Sequence, residues 1–224
     1  FKKYRLHTKI VLVTTAFLLL SGTLLFYIIE YNNTMKGMNV GERILASLFS
    51  ATTARTAGFN SVDTGSLTSA SKLLTCVLMF IGGSPGSTAG GIKTTTIFIL
   101  VVSLWSGITD RHKTAVFKRR FEDDAIKKAS TVFTLNMFLA IFALFTILAI
   151  TDLSLSDVMF EVFSAIGTVG MTTGITRDLS SAARIIIMVL MFCGRVGSLS
   201  FALTFLQGKK DPPVYYPEEE ISVG

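Results

Sequence analysis

Two stretches of this chain carry residue patterns that do chemistry elsewhere. Residues 82–86 (GGSPG) fit G-x-S-x-G, the turn that presents a nucleophilic serine, and residues 86–93 (GSTAGGIK) resemble a phosphate-binding loop. The first pattern needs a preceding strand and a histidine base. The only two histidines, His7 and His112, lie in basic flanks outside every apolar stretch. The second has one residue too many before its lysine, and no strand leads into it. Neither chemistry can be assembled, so no enzyme is expected. Cys76 and Cys193 lie inside apolar runs, where a thiol behaves as a small hydrophobe, so neither a disulfide framework nor a metal-thiolate site is expected.

What remains is non-covalent ion chemistry. Thr56-Ala57-Gly58-Phe59 and Thr168-Val169-Gly170-Met171 each place a glycine two residues after a threonine. Aiming backbone carbonyls at one axis, as selection of a partly dehydrated cation requires, forces unusual dihedrals that glycine tolerates. Each turn follows a short amphipathic stretch, and a helix C-terminus adds partial negative charge that favours a cation. The competing reading of either glycine alone is an ordinary helix stop. Arg195 is the other conspicuous residue, a fixed charge inside an apolar run, where it normally faces a cavity or a partner.

These residues must be held by membrane-spanning elements. Half of the 224 residues are hydrophobic, and the mean hydropathy is +0.58. Residues 10–29, 131–150 and 185–206 form apolar runs that meet the roughly 20 residues a hydrocarbon core requires. The first is too long for the apolar region of a signal peptide and no small-residue cleavage site follows, so it reads as a span. Residues 67–105 are too long for one span and too short for two with a turn. Five glycines and a proline among residues 82–91 resolve this by predicting an unwound intramembrane loop between two half-helices. The stretches 42–54 and 156–166 are helical in pattern but too short to cross, which predicts re-entrant helices. Non-helical backbone at that depth is tolerated only in protein or beside water.

The chain repeats itself. Residues 69–72 (SASK) align with 181–184 (SAAR), 77–82 (VLMFIG) with 189–194 (VLMFCG), and 56–59 with 168–171, all at an offset of 112. Residues 49–51 (FSA) align with 163–165 at an offset of 114, so a contraction of two residues separates the blocks. Two units are expected, 1–112 and 113–224, each a span, a short helix, a Thr-x-Gly turn and a second span. The first has the broken second helix, and the second carries Arg195 where the first has Gly83. Two parallel units argue against a transporter of the inverted-repeat kind.

Net charge is +6, and 13 of the 21 Lys and Arg fall in residues 2–9, 111–128 and 209–210. The positive-inside rule makes these flanks, and hence both termini, cytoplasmic. They lack the aromatic interleaving of a nucleic-acid surface, so membrane lipid rather than nucleic acid is the expected contact.

The segments TARTAGFNS, MFIGGSPGSTAGGIKTT, SAIGTVGMTTG and MFCGRVGSLSF resemble the KtrB/TrkH family of potassium transporters through essentially the whole chain. The resemblance implies an all-α integral membrane fold, with tandem helix, pore-loop, helix repeats forming part of a pseudo-fourfold cation pore. The two units here match its C-terminal half, with Phe1 falling in the cytoplasmic linker. It implies gated, potassium-selective uptake across a bacterial plasma membrane. The alternatives are a sodium-coupled secondary transporter or a sodium-permeable relative. Potassium would be held by the carbonyls of Thr56, Ala57, Thr168 and Val169, with Gly58 and Gly170 setting the turns and Phe59 and Met171 following them. A gate would comprise Gly82, Gly83, Ser84, Gly86, Ser87, Thr88, Gly90, Gly91 and Arg195. Lys93 reads either as part of that gate or as an interfacial anchor. Implied partners are a second copy in a homodimer and a cytoplasmic nucleotide-binding ring of the KtrA/TrkA kind. The ring alone binds nucleotide, sodium is a candidate activator, and residues 111–128 and 211–224 are candidate contacts.

Overall fold

The computed structural model describes residues 4–109, 115–116, 119–121 and 123–197. The candidate tail contact at 211–224 and the basic pair Lys209-Lys210 lie outside the described residues, as do residues 111–114, 117–118 and 122 of the 111–128 segment, His112 among them.

Leu and Phe fill the first long helix, α1 (Leu6–Glu30), whose 25 residues reach about 38 Å, enough to cross a hydrocarbon core. Its inward face mixes Ile10, Leu18 and Phe26 with Thr14, Gly22 and Glu30, while Phe17, Leu20 and Leu24 are exposed. A helix apolar on its outward face as well suits a lipid surround. The short helix α2 (Val40–Thr53) begins at a capping box. Asn39 Oδ1 accepts from the Glu42 amide at 2.9 Å, and the Glu42 carboxylate accepts from the Asn39 amide at 2.9 Å.

The predicted break is present. Helix α3 (Ser69–Phe80) stops before the glycine-rich loop and α4 (Thr94–Ile108) begins after it, so the apolar stretch divides into two half-helices. A two-residue antiparallel ladder pairs Ala115–Val116 with Arg119–Arg120 ahead of the second unit. Helix α5 (Asp123–Ile150) is the second long span, and α6 (Leu155–Ile166) is the second short helix. Helix α7 (Ser181–Val196) ends at Gly197, ten residues short of the predicted end of its apolar run; the remainder lies outside the described residues. Thr68 and Ser180, which match at the offset of 112, both cap their helices. Their side chains accept from the Ser71 amide at 3.2 Å and the Ala183 amide at 3.3 Å.

The units join where α3 packs on α6 and α4 on α5. Phe80 lies at this seam with its ring edge-on to Phe133 of α5 and Phe163 of α6, at centroid distances of 5.9 and 5.4 Å. Among the described residues one ion pair crosses it, from Lys72 Nζ on α3 to Asp157 Oδ1 on α6 at 2.8 Å, and the lysine side chain is 11% exposed. Asp157 also accepts from Ser154 Oγ at 2.6 Å, so the carboxylate is held on both sides.

Because both charges are largely removed from water, deleting one partner leaves the other uncompensated. Lys72→Ala is expected to destabilise the fold by about 3 kcal/mol, while an apolar pair, Lys72→Met with Asp157→Leu, restores most of the loss. Thermal melting in detergent checks this. Equal melting points for the single and double variants would remove the coupling.

Candidate functional site

Neither short helix runs into its glycine. Helix α2 ends at Thr53 and α6 at Ile166, so Gly58 and Gly170 stand several residues beyond the helix ends, away from the position an ordinary glycine helix stop takes. In each turn the threonine and the glycine have positive φ: 72° at Thr56 and 80° at Gly58, 53° at Thr168 and 88° at Gly170. Positive φ is unfavourable for a β-branched residue, so both threonines are held there by their surroundings. Left-handed residues two apart keep successive carbonyls from alternating sides as they would in a strand, the geometry an ion-lining carbonyl row needs.

The turns lie against each other. A Cβ placed on Gly58 would overlap the carbonyl oxygen of Val169, so only glycine permits this approach. Val169 and Met171 are buried, whereas Phe59 is 70% exposed. The first turn is pinned by Thr53, whose hydroxyl accepts from the Phe59 amide at 2.8 Å and donates to the Phe59 carbonyl at 2.6 Å.

The glycine-rich loop lies beside both turns. It leaves α3 through an isolated parallel bridge between Ile81 and Ile92, and the Ile92 amide donates to the Phe80 carbonyl at 3.0 Å. The Thr94 amide reaches the Gly83 carbonyl at 3.2 Å, and Ser87 turns back on the Ser84 carbonyl through both its amide and its hydroxyl, at 3.2 and 2.6 Å. Gly86 and Gly91 have φ of 82° and 66°. The loop touches the second turn directly, where the Gly90 amide donates to Thr168 Oγ1 at 3.0 Å. A Cβ on Gly90 would overlap that threonine side chain.

Three cations answer the loop's exposed carbonyls. Arg195 of α7 donates from Nη1 to the Thr88 carbonyl. Lys93 folds back to the Ala89 carbonyl and lies 3.5 Å from that of Ser87, and Arg55 donates from Nη2 to the Gly82 carbonyl at 3.3 Å. Lys93 therefore ties the end of the loop to the loop's own carbonyls. An open cavity of about 370 Å³ separates Thr56 and Ala57 from Gly83, Ser87 and Thr88, with Arg55 in its wall.

The sequence reading missed two residues. Arg55 stands in the stretch 52–55, which the two-residue contraction reduces to Ile166-Gly167 in the second unit, so the repeat itself marks it as unmatched. Glu161 is an acid 6% exposed inside the apolar re-entrant helix α6.

Spanning helices, paired re-entrant helices and a broken half-helix define a membrane protein of the cation-pathway architecture. The chain belongs to the TrkH family, described as cation transport protein, whose model matches residues 6–211. It is 37% identical over 226 residues to the Ktr system potassium uptake protein B of Bacillus subtilis (strain 168), covering 100% of this chain and 51% of that protein. It is 38% identical over 231 residues to the potassium/sodium uptake protein NtpJ of Enterococcus hirae, covering 100% of this chain and 51% of the relative. The crystal structure of the potassium transporter TrkH from Vibrio parahaemolyticus shares its fold, with a TM-score of 0.70 at 18% identity over 87% of this chain and 43% of that one. The chain thus spans about half the length of the curated relatives it matches.

Since a methyl group at Gly90 cannot coexist with the Thr168 side chain, Gly90→Ala is expected to push the loop off the second turn. A cysteine placed at exposed Ser87 should then react with a charged thiol reagent about tenfold faster, as a shift of roughly 1.4 kcal/mol in loop position would give. An unchanged rate would show that this contact does not hold the loop.

Proposed function

We propose that this chain supplies two of the four sides of a potassium-selective uptake pathway, with the loop of residues 82–91 and Arg195 as its gate. The carrying observation is the pair of turns with left-handed Thr and Gly, placed so that Gly58 meets the Val169 carbonyl. In a closed ring each such glycine would meet its neighbour's carbonyl. The corresponding position at Gly170 faces nothing within 4 Å among the described residues, which supports two further loops completing the ring.

Carbonyls of Thr56, Ala57, Thr168 and Val169 replace part of a potassium ion's hydration, and the C-terminal ends of α2 and α6 add partial negative charge. Below them, Arg55, Lys93 and Arg195 put positive charge beside the path, and in a low-dielectric passage this repels cations. The loop obstructs while its carbonyls are held by these three side chains, and it yields when they are released. Transport down the membrane potential then needs no chemistry, since each charge gains about 2.3 kcal/mol per 100 mV.

The proposed setting is the one the family resemblance and the charge pattern imply: a bacterial plasma membrane, a homodimer, both ends of this segment in the cytoplasm, and a cytoplasmic nucleotide-binding ring that moves the gate. The Enterococcus hirae relative, a potassium/sodium uptake protein, supports a sodium-permeable second reading.

Two outcomes test this in the full-length transporter reconstituted in liposomes. Gly58→Ser adds a side chain where the Val169 carbonyl lies, at a φ that L residues rarely adopt, and should lower the preference for potassium over sodium by about tenfold, roughly 1.4 kcal/mol. Unchanged preference would remove Gly58 from the ion path. Arg195→Gln should raise potassium flux several-fold without the regulatory ring, and wild-type flux would show that the guanidinium does not obstruct.

A further inference from the structure

Glu161 is a buried acid with no counterpart in the first unit. The repeat, at the offset of 114 that governs the short helices, places Ser47 there, whose hydroxyl donates back to the Arg43 carbonyl of its own helix at 2.7 Å and lies 3.5 Å from Met35 Sδ. Among the described residues no Lys or Arg pairs with Glu161. Its carboxylate is instead occupied by the segment just beyond Gly170: Thr172 donates its hydroxyl to Oε1, and the Thr176 hydroxyl lies 3.1 Å from Oε2. The Thr172 hydroxyl in turn accepts from the Gly174 amide at 2.9 Å, so the whole bend after Gly170 closes on one carboxylate.

The same bend is tied to the first unit. The Thr64 hydroxyl donates to the Thr172 carbonyl, which links the chain following the first turn to the chain following the second. The first unit pins its own turn with Thr53 on Phe59. The second has lost that hydroxyl to the contraction, because only Ile166 and Gly167 separate Ala165 from Thr168. Burying an acid is unfavourable unless its acceptors are filled, and here they are filled by the segment that needs fixing.

We propose that Glu161 is the positioning residue for the second turn, replacing the missing threonine clamp, and that it sharpens discrimination between potassium and sodium without itself touching the ion. This rests on the reading of the turns as the selective element. A carbonyl row discriminates only while its spacing is held, and a cation of different size pulls a loose row to its own radius. The carboxylate holds the outer end of that row at Thr172, as Thr53 holds the first row at Phe59.

The test uses the full-length transporter in liposomes, comparing Glu161→Ala, Glu161→Gln, Thr172→Val and Gly58→Ser for potassium-over-sodium preference and melting temperature. Loss of a hydrogen bond to a charged group should reduce the preference about tenfold in both Glu161→Ala and Thr172→Val. Glu161→Gln keeps an acceptor for Thr172 and should retain most of it. Wild-type preference in a folded Thr172→Val protein overturns the proposal, since that variant keeps the charge and removes only the clamp. Should Glu161→Ala fail to fold, Thr172→Val decides alone. A change in Gly58→Ser without one in Thr172→Val sinks only the clamp, whereas no change in either sinks the reading of the turns as well.

Discussion

Backbone amides and carbonyls that leave a helix inside a membrane must find partners in the protein or in a wet pathway, and this chain leaves its helices in three places. The loop between α3 and α4 places successive carbonyls where no helical amide answers them. Arg55, Lys93 and Arg195 reach those of Gly82, Ser87, Ala89 and Thr88. The two turns keep only part of their carbonyls engaged. The Thr53 carbonyl accepts from the Ala57 and Gly58 amides and the Ser164 carbonyl from that of Val169, and on the proposed reading the carbonyls of the turns themselves face the path. The same requirement thus accounts for the cations in an apolar chain and for the free acceptors a cation can use.

The departures from exact repetition follow from a change of two residues. In the first unit the four residues 52–55 separate the short helix from its turn and include Thr53, which pins Phe59, and Arg55, which reaches the loop. The second unit has Ile166-Gly167, with neither a hydroxyl nor a charge, and recruits Glu161 and Arg195 from the flanking helices. The second half of the second unit keeps a continuous α7 up to Val196, whereas the matching stretch of the first unit opens at Ile81. The opened loop then packs its Gly90 amide on Thr168 of the other unit, so loop position and turn geometry share a hydrogen bond.

Features written in local composition were legible in the sequence. Glycine density announced the break at 82–91, length separated α2 and α6 from the spans, and the offset of 112 found both turns. Ties between distant residues were not. Lys72 and Asp157 are 85 residues apart and each reads alone as an ordinary helix-start charge. Glu161 was hidden by its place in an amphipathic pattern. An acid tolerated in a twelve-residue apolar helix, followed one turn segment later by Thr172 and Thr176, was its one available signal. Arg195 was visible as a charge and the glycine-rich loop as a source of carbonyls to hold it, but not that the Thr88 carbonyl is the one it reaches, because a single backbone carbonyl leaves no mark in composition.

The central claim is that the carbonyls of the two turns, left free by the surrounding ties, line the path of the ion. Anomalous diffraction from crystals of the full-length transporter grown with thallium in place of potassium tests it most directly. The account predicts an anomalous peak on the axis beside the carbonyls of Thr56, Ala57, Thr168 and Val169, weakened by competing potassium and not by equal sodium. Thallium bound elsewhere, with no peak at these carbonyls, would contradict it.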